Sequence, residues 1–141
     1  MTAGFERGET TPTLDRELFD SLRVDLGDEP MSQLVTRFSE RAPQMRELGH
    51  ATRRGDGPAV VQLAHSLRGA AGIFGAKKLA ELARRLEERG LGELEEGSDA
   101  LADEATIEFE RAVSEMRAQL AVPAQEPPAG ESGASGLSPA E

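Results

Sequence analysis

The run Ala64-His65-Ser66-Leu67-Arg68-Gly69-Ala70-Ala71-Gly72-Ile73-Phe74-Gly75 reads as a helix. At roughly 100° per residue, Val60, Leu63, Leu67, Ala70 and Phe74 share one stripe, the spacing of a core-facing surface. His65 falls roughly opposite the middle of that stripe and is expected to face solvent. Around it, one turn away on either side, lie Val61, Arg68, Gly69 and Gly72. A glycine inside a helix costs on the order of 1 kcal/mol relative to alanine, so Gly69 and Gly72 need a reason. Either the helix ends near Gly72 to Gly75, where glycine caps well, or the missing side chains let another molecule reach the imidazole. A histidine off the apolar stripe, beside a cation and bare backbone, favours the second reading.

Working outward, a chain of 141 residues suffices for one domain with its own core. Sixteen Lys and Arg against 26 Asp and Glu give a net charge of −10. That argues against non-specific nucleic-acid binding, which relies on a basic face. With no cysteine and only His50 and His65, neither disulfides nor thiolate or imidazole metal clusters are expected. No apolar run reaches the length of a membrane span and no signal-peptide core is present, so a cytoplasmic protein is expected. Aromatics are 4% of the chain, without Trp or Tyr, a composition suited to helix packing.

Residues 1–12 show no periodicity and read as a flexible arm. A short helix follows, with Leu14, Leu18, Phe19, Leu22 and Leu26 at helical spacing and Asp15 and Glu17 in its first turn. Gly27-Asp28-Glu29-Pro30 ends it and starts a second helix, expected from Pro30 to Arg53. Its apolar face, Met31, Leu34, Val35, Phe38, Ala42, Met45 and Leu48, keeps phase across Pro43, which predicts a kinked helix, not two helices. His50 beside Arg53 and Arg54 reads as a structural group at that helix's C-terminus. Asp56 is a candidate N-cap for the His65 helix, with Pro58 in the first turn. A fourth helix is expected over 76–89, with Leu79, Leu82, Ala83 and Leu86 inward and Gly90 and Gly92 closing it. A fifth, from Ser98 or Asp99 to Ala121, turns Leu101, Ala105, Phe109, Val113, Met116 and Leu120 inward. Residues 122–141, rich in Pro, Gly, Ser and Glu, read as a disordered tail or linker. Residues 13–121 are therefore expected to form an all-α domain. Its architecture is expected to be an antiparallel up-down four-helix bundle with a short additional N-terminal helix.

Charge is uneven. Residues 65–89 hold six bases against three acids, whereas residues 91–121 hold nine acids against Arg111 and Arg117. A positive neighbourhood around His65, including Lys77 and Arg84, would steer an acidic partner site toward it. Gly69, Gly72 and Gly75 match neither the dinucleotide fingerprint nor the phosphate loop, and no strand precedes them. Ser66 adjoins His65 in sequence, so on a helix the two side chains diverge and make no nucleophile–base pair. An exposed imidazole, by contrast, is a nucleophile near neutral pH. Arg68, one turn on, offers positive charge and a fork of donors for phosphoryl oxygens, while Gly69 leaves room for an incoming site.

The pattern His65-x-Leu67-Arg68-Gly69, with Gly75 ten positions after the histidine and then Leu79, Leu82, Leu86 and Glu87, resembles the histidine-containing phosphotransfer (HPt) domain. The resemblance runs from about Leu14 to Leu120, with Arg68 where the family more often has lysine and a proline in the second helix as relatives often have. It implies a phosphocarrier without kinase activity of its own, taking a phosphoryl group on His65 from an aspartyl phosphate and passing it to another carboxylate. The implied partners are response-regulator receiver domains and a hybrid sensor histidine kinase. The receiver supplies its own acids and divalent cation, so this chain needs no metal and no cofactor. The resemblance also marks Glu87, where relatives often carry a glutamine near the histidine that could orient the ring. The alternative for Glu87 is an exposed residue paired with Arg84 or Arg85. Val61, Gly72, Lys77 and Arg84 are the expected partner-binding residues around the catalytic set His65, Arg68, Gly69 and Glu87, and a monomer is expected. A non-phosphorylated helical adaptor is the competing function, with Arg68 in place of lysine the feature that leans that way.

Overall fold

A computed structural model describes residues 11–123. Among them the regular structure is entirely helical, in six segments: α1 Arg16–Leu26, α2 Asp28–Ser39, α3 Ala42–Arg53, α4 Gly57–Phe74, α5 Lys77–Leu91 and α6 Ser98–Ala121. Helix α4 packs most extensively on α5; α5 also meets α6, α6 meets α2 and α3, and α3 returns to α4. Helix α1 lies against α2 and α4. The expected tail from 124 onward and the arm through residue 10 lie outside the described residues. At the inner end of that arm, the Pro12 carbonyl accepts a hydrogen bond from the Lys78 N–H at 3.1 Å.

The expected single kinked second helix is instead two helices, α2 and α3, separated by Glu40 and Arg41. Pro43 lies in the first turn of α3, where its missing N–H is no loss. Continued upstream as α-helix, the same proline would leave the Ser39 carbonyl without its donor and crowd it with the ring. The chain tightens to i→i+3 bonds there, Arg41 N–H to Phe38 and Gln44 N–H to Arg41. The apolar phase nevertheless survives the break: Met31, Val35 and Phe38 are buried before it, and Met45, Leu48 and Ala51 after it. Phe38 sits between two other rings, 5.3 Å from Phe74 edge-on and 5.2 Å from Phe109.

The first helix departs from its expected stripe. Phe19 is buried, but Leu18 and Leu26 are exposed, and the inward position near the C-terminus belongs to Arg23, 3% exposed. Its guanidinium pairs with Asp28 at 2.7 Å and donates to the carbonyls of Gln119, Leu120 and Val122 at the end of α6. Hydrogen bonding to Arg23 holds the Asp28 carboxyl below its ordinary range. Asp15 is the N-cap of α1 rather than a first-turn residue, accepting from the Leu18 N–H.

Helix α4 starts at the expected cap, with Asp56 accepting from the Ala59 N–H at 3.2 Å. Its buried stripe is Val60, Ala64, Leu67, Ala71 and Phe74, so the core-facing line lies slightly around the helix from the expected one. Leu63 and Ala70 are half-buried at its edge. Gly75, in the left-handed region at φ 79°, caps the C-terminus. A Cβ there would also stand 3.1 Å from both Asp15 Cβ and Leu18 Cδ2, so the turn and the close approach of α1 both call for glycine.

Helix α5 buries Leu79, Leu82, Ala83 and Leu86 as expected but runs through Gly90 to Leu91. Gly90 is therefore no terminator; it lies where α5 crosses the start of α4. A Cβ on it would meet Val61 Cγ2 at 2.8 Å and the Gly57 carbonyl at 2.9 Å. Helix α6 buries Leu101, Ala105, Phe109, Val113 and Met116 as expected, with Leu120 only half-buried, and two unexpected polar residues, Ser98 and Glu108. His50 is exposed in the last turn of α3, in keeping with its structural reading.

Candidate functional site

His65 is near the middle of α4, its side chain 66% exposed, on the side away from the buried stripe. The helix does end near Gly72, at Phe74 with Gly75 as its cap, and Gly72 lies in the last turn; Gly69 is an interior residue, which excludes the end-of-helix explanation for it. An added Cβ at either would meet nothing within 4 Å. The backbone beside the imidazole is thus open, and no packing among the described residues asks for glycine there.

The close crossing of α4 and α5 at Gly57 and Gly90 sets the register between the two helices. That register places Glu87 of α5 against His65. Glu87 Oε2 lies 3.0 Å from His65 Nδ1, and the carboxylate is only 14% exposed. An ionised carboxylate only accepts, so the contact assigns the proton to Nδ1 and leaves the Nε2 lone pair free in the neutral ring. Glu87 Oε1 stands 3.4 Å from Arg68 Nη1. The two attract as charges, but the geometry is not that of a hydrogen bond, and this buried oxygen has no other donor. The pairing of Glu87 with Arg84 or Arg85 does not occur: both arginines turn to Glu81, and Arg84 also to Glu88.

Those pairings correct the expectation of a broadly positive neighbourhood. Arg84 grips Glu81 with two hydrogen bonds, at 2.7 and 3.2 Å, which hold the Glu81 carboxyl below its ordinary range and push Arg84 up. Lys77 reaches Asp15 at 3.4 Å. Much of the basic charge of α5 is therefore met by carboxylates on the same surface.

An exposed imidazole with one nitrogen held and the other free, flanked by a cation and by bare helix backbone, is suited to transient covalent chemistry at Nε2. Comparison with known proteins agrees with that reading. The Hpt domain model matches residues 31–121. The chain belongs to the Hpt domain family. A crystal structure of histidine-containing phosphotransfer protein B (HptB) from Pseudomonas aeruginosa PAO1 resembles it with a TM-score of 0.71 and 26% sequence identity, covering 79% of this chain and 97% of that one. No curated protein sequence matches it. Family and likeness together support a histidine phosphotransfer protein of a phosphorelay.

Within the Hpt domain, the other sequence-derived positions fall at graded distances from the imidazole. Gly72 continues the open strip beyond Gly69, whereas Val61 is half-buried against Gly90 and so is a packing residue at the helix crossing. Lys77 starts α5 beyond the Gly75 turn, and Arg84 is one turn from Glu87. Helix α1 precedes the matched residues yet packs on α4, with Leu18 at the Gly75 turn. One neighbour of the site escaped the sequence reading: Arg41, at the break between α2 and α3, bonds Ser66 next to the histidine. Among the described residues no helix is long and apolar enough to cross a membrane, and no group of three or more His, Cys, Asp or Glu is placed to hold a metal ion.

Proposed function

We propose that this Hpt domain carries a phosphoryl group on His65, taking it from the aspartyl phosphate of one receiver domain and passing it to the aspartate of another. The observation that supports this best is the 3.0 Å contact of Nδ1 with Glu87, beside an exposed Nε2. In the first step the Nε2 lone pair attacks phosphorus. The N–P bond forms, the acyl phosphate P–O bond breaks, and the partner's carboxylate leaves with the electron pair. The Nδ1 proton stays against Glu87, whose charge stabilises the ring as it becomes cationic. In the return step a carboxylate oxygen attacks phosphorus and the ring takes back its electron pair. Arg68 offsets negative charge on the phosphoryl oxygens, and Gly69 and Gly72 let the partner approach. The chemistry asks no cofactor of this chain, the divalent cation belonging to the receiver.

The same reading takes residues 13–121 as the working unit, a monomer in the cytoplasm. Its architecture is read as an antiparallel bundle in which α2 with α3, α4, α5 and α6 are the four pillars and α1 the addition. The ring of helix contacts supports that arrangement. A hybrid sensor histidine kinase is the expected source of phosphate. The test is incubation with a phosphorylated receiver, followed by assay for acid-labile, base-stable phosphate on this chain. Label on the wild type and none on His65→Gln, with an unchanged melt, is the expected result. An adaptor that is never phosphorylated leaves both proteins unlabelled.

A further inference from the structure

Resting on the phosphotransfer reading, we propose that Arg41 is a second recognition residue of the site. It binds a carboxylate on the surface of the docked partner protein, on the flank of His65 opposite Arg68 and Glu87. Ser66 is turned by roughly 100° around α4 from His65 in one sense, and Arg68 by about 60° in the other. The contacts agree with those angles: Arg68 meets Glu87 of α5, whereas Ser66 meets Arg41 from the start of α3.

Arg41 is half-buried and held at one corner only. Its Nη1 donates to Gln44 Oε1 at 2.9 Å and to Ser66 Oγ at 3.2 Å. Among the described residues nothing accepts from its Nε or Nη2, and no carboxylate pairs with it. A guanidinium presents those two groups as one fork edge, the edge that takes a carboxylate bidentately. The contrast with the other cations near His65 is sharp. Arg68 shares its charge with Glu87, Arg84 with Glu81 and Glu88, and Lys77 with Asp15. Among the described residues, Arg41 is the cation touching this part of α4 that no carboxylate pairs with.

The phosphoryl group on His65 is the other anion within the same chemistry, and the experiment separates the two. A receiver domain that phosphorylates the wild-type chain is titrated against wild type, Arg41→Ala and Arg41→Lys. Initial transfer rates are measured at low and at physiological salt, with the lifetime of the isolated phosphohistidine and a thermal melt alongside. Arg41→Ala is expected to raise the half-saturating receiver concentration about three- to tenfold, the scale of one interfacial charge contact. It is also expected to flatten the salt dependence while leaving the maximal rate, phosphohistidine lifetime and melt unchanged. Arg41→Lys, which keeps the charge and loses the fork, should recover part of the affinity. An unchanged half-saturating concentration in Arg41→Ala overturns the proposal. A shortened phosphohistidine lifetime with unchanged saturation overturns it too, assigning Arg41 to the phosphoryl group. A melt lowered equally in Arg41→Ala and Arg41→Lys, with affinity lost in both, would make the residue structural and also overturn it. Failure of the wild type to accept phosphate from any receiver refutes the phosphotransfer reading instead.

Discussion

Substitution of Gly69 should stabilise the domain and impair its function at once. The residue is in the interior of α4, has ordinary helical geometry, and offers an added Cβ nothing closer than 4 Å. With no contact to lose and no clash to create, the change in stability reduces to helix propensity. Gly69→Ala should therefore gain about 1 kcal/mol, and Gly69→Gln roughly half of that. In a domain of about 100 residues, 1 kcal/mol raises Tm by about 4–8 °C. Gly90→Ala is the control of opposite sign. Its Cβ would overlap Val61 Cγ2 at 2.8 Å and the Gly57 carbonyl at 2.9 Å, one of them backbone that cannot swing away. Overpacking of that kind costs about 1–3 kcal/mol, enough with two such contacts to outweigh the propensity gain. Calorimetry or circular-dichroism melts read both signs.

Transfer kinetics complete the test. Gly69→Gln places a long side chain on the strip beside His65 and should slow phosphoryl transfer from a receiver at least about tenfold, equivalent to roughly 1.4 kcal/mol, in a protein that melts no lower than wild type. Gly69→Ala, with a single methyl, should lie between. If Gly69→Ala lowers Tm, the glycine is needed by the fold and the open-face reasoning is refuted. If Gly69→Gln melts higher and transfers at the wild-type rate, the face is open but the partner does not use it.

Other expectations concern the ionic groups. Arg23→Ala removes the guanidinium donor from three carbonyls at the end of α6 and opens a buried space, and should cost about 2–3 kcal/mol by denaturant titration; Asp28→Asn, at a 65% exposed carboxylate, should cost far less. Glu108 is 1% exposed, and its oxygens have no hydrogen-bond donor, Arg111 standing 3.5 Å away without the right geometry. Glu108→Leu should therefore raise stability, by about 1–3 kcal/mol, and a loss of stability would show a compensating partner for the carboxylate. The Glu81 carboxyl is held below its ordinary value, chiefly by hydrogen bonding to Arg84. A depressed folded-state value contributes stability above the unfolded one, near pH 4.3, and loses it as pH falls through the folded one. The Tm advantage of wild type over Glu81→Gln should accordingly be present at pH 6 and fade below about pH 4. Glu87→Gln keeps an acceptor for Nδ1 and should retain much of the transfer activity, whereas Glu87→Ala should lose more and shift the imidazole tautomer populations seen by nitrogen-15 NMR.

The sequence made visible whatever a single helix decides. The exposed face of His65, the Asp56 cap, the inward residues of α5 and the left-handed turn at Gly75 follow from period, propensity and the steric freedom of glycine. What stayed hidden depends on a second element. Arg23 occupies an inward position of α1 that no apolar pattern could mark, because its acceptors are carbonyls 96 to 99 residues away. In the sequence Glu87 stands between two roles because its partner depends on the register of α5 on α4, fixed where Gly57 meets Gly90. The break before Pro43 was masked because the apolar phase persists across it; phase reports which side faces the core, not whether the backbone ladder is intact.

The glycines of α4 and α5 thus divide by what their missing side chains admit. Gly57 and Gly90 admit another helix, and their close approach brings the Glu87 carboxylate to the imidazole. Gly69 and Gly72 admit nothing among the described residues, and at Gly69, in the helix interior, that emptiness makes sense toward a visiting molecule. The carboxylate that arrives through the first pair has an electrostatic consequence for the second. By drawing on Arg68 at 3.4 Å, Glu87 weakens the positive potential that Arg68 alone would offer a phosphoryl group. In the proposed reaction the phosphoryl charge must then be met largely from outside this triad, by the cation of the docked receiver. The amide variant Glu87→Gln removes that competition while keeping the hydrogen bond. It should therefore lengthen the lifetime of the phosphohistidine relative to wild type, the more so because it also removes the carboxylate that favours the protonated, labile ring, and a shorter lifetime would refute this account of Glu87.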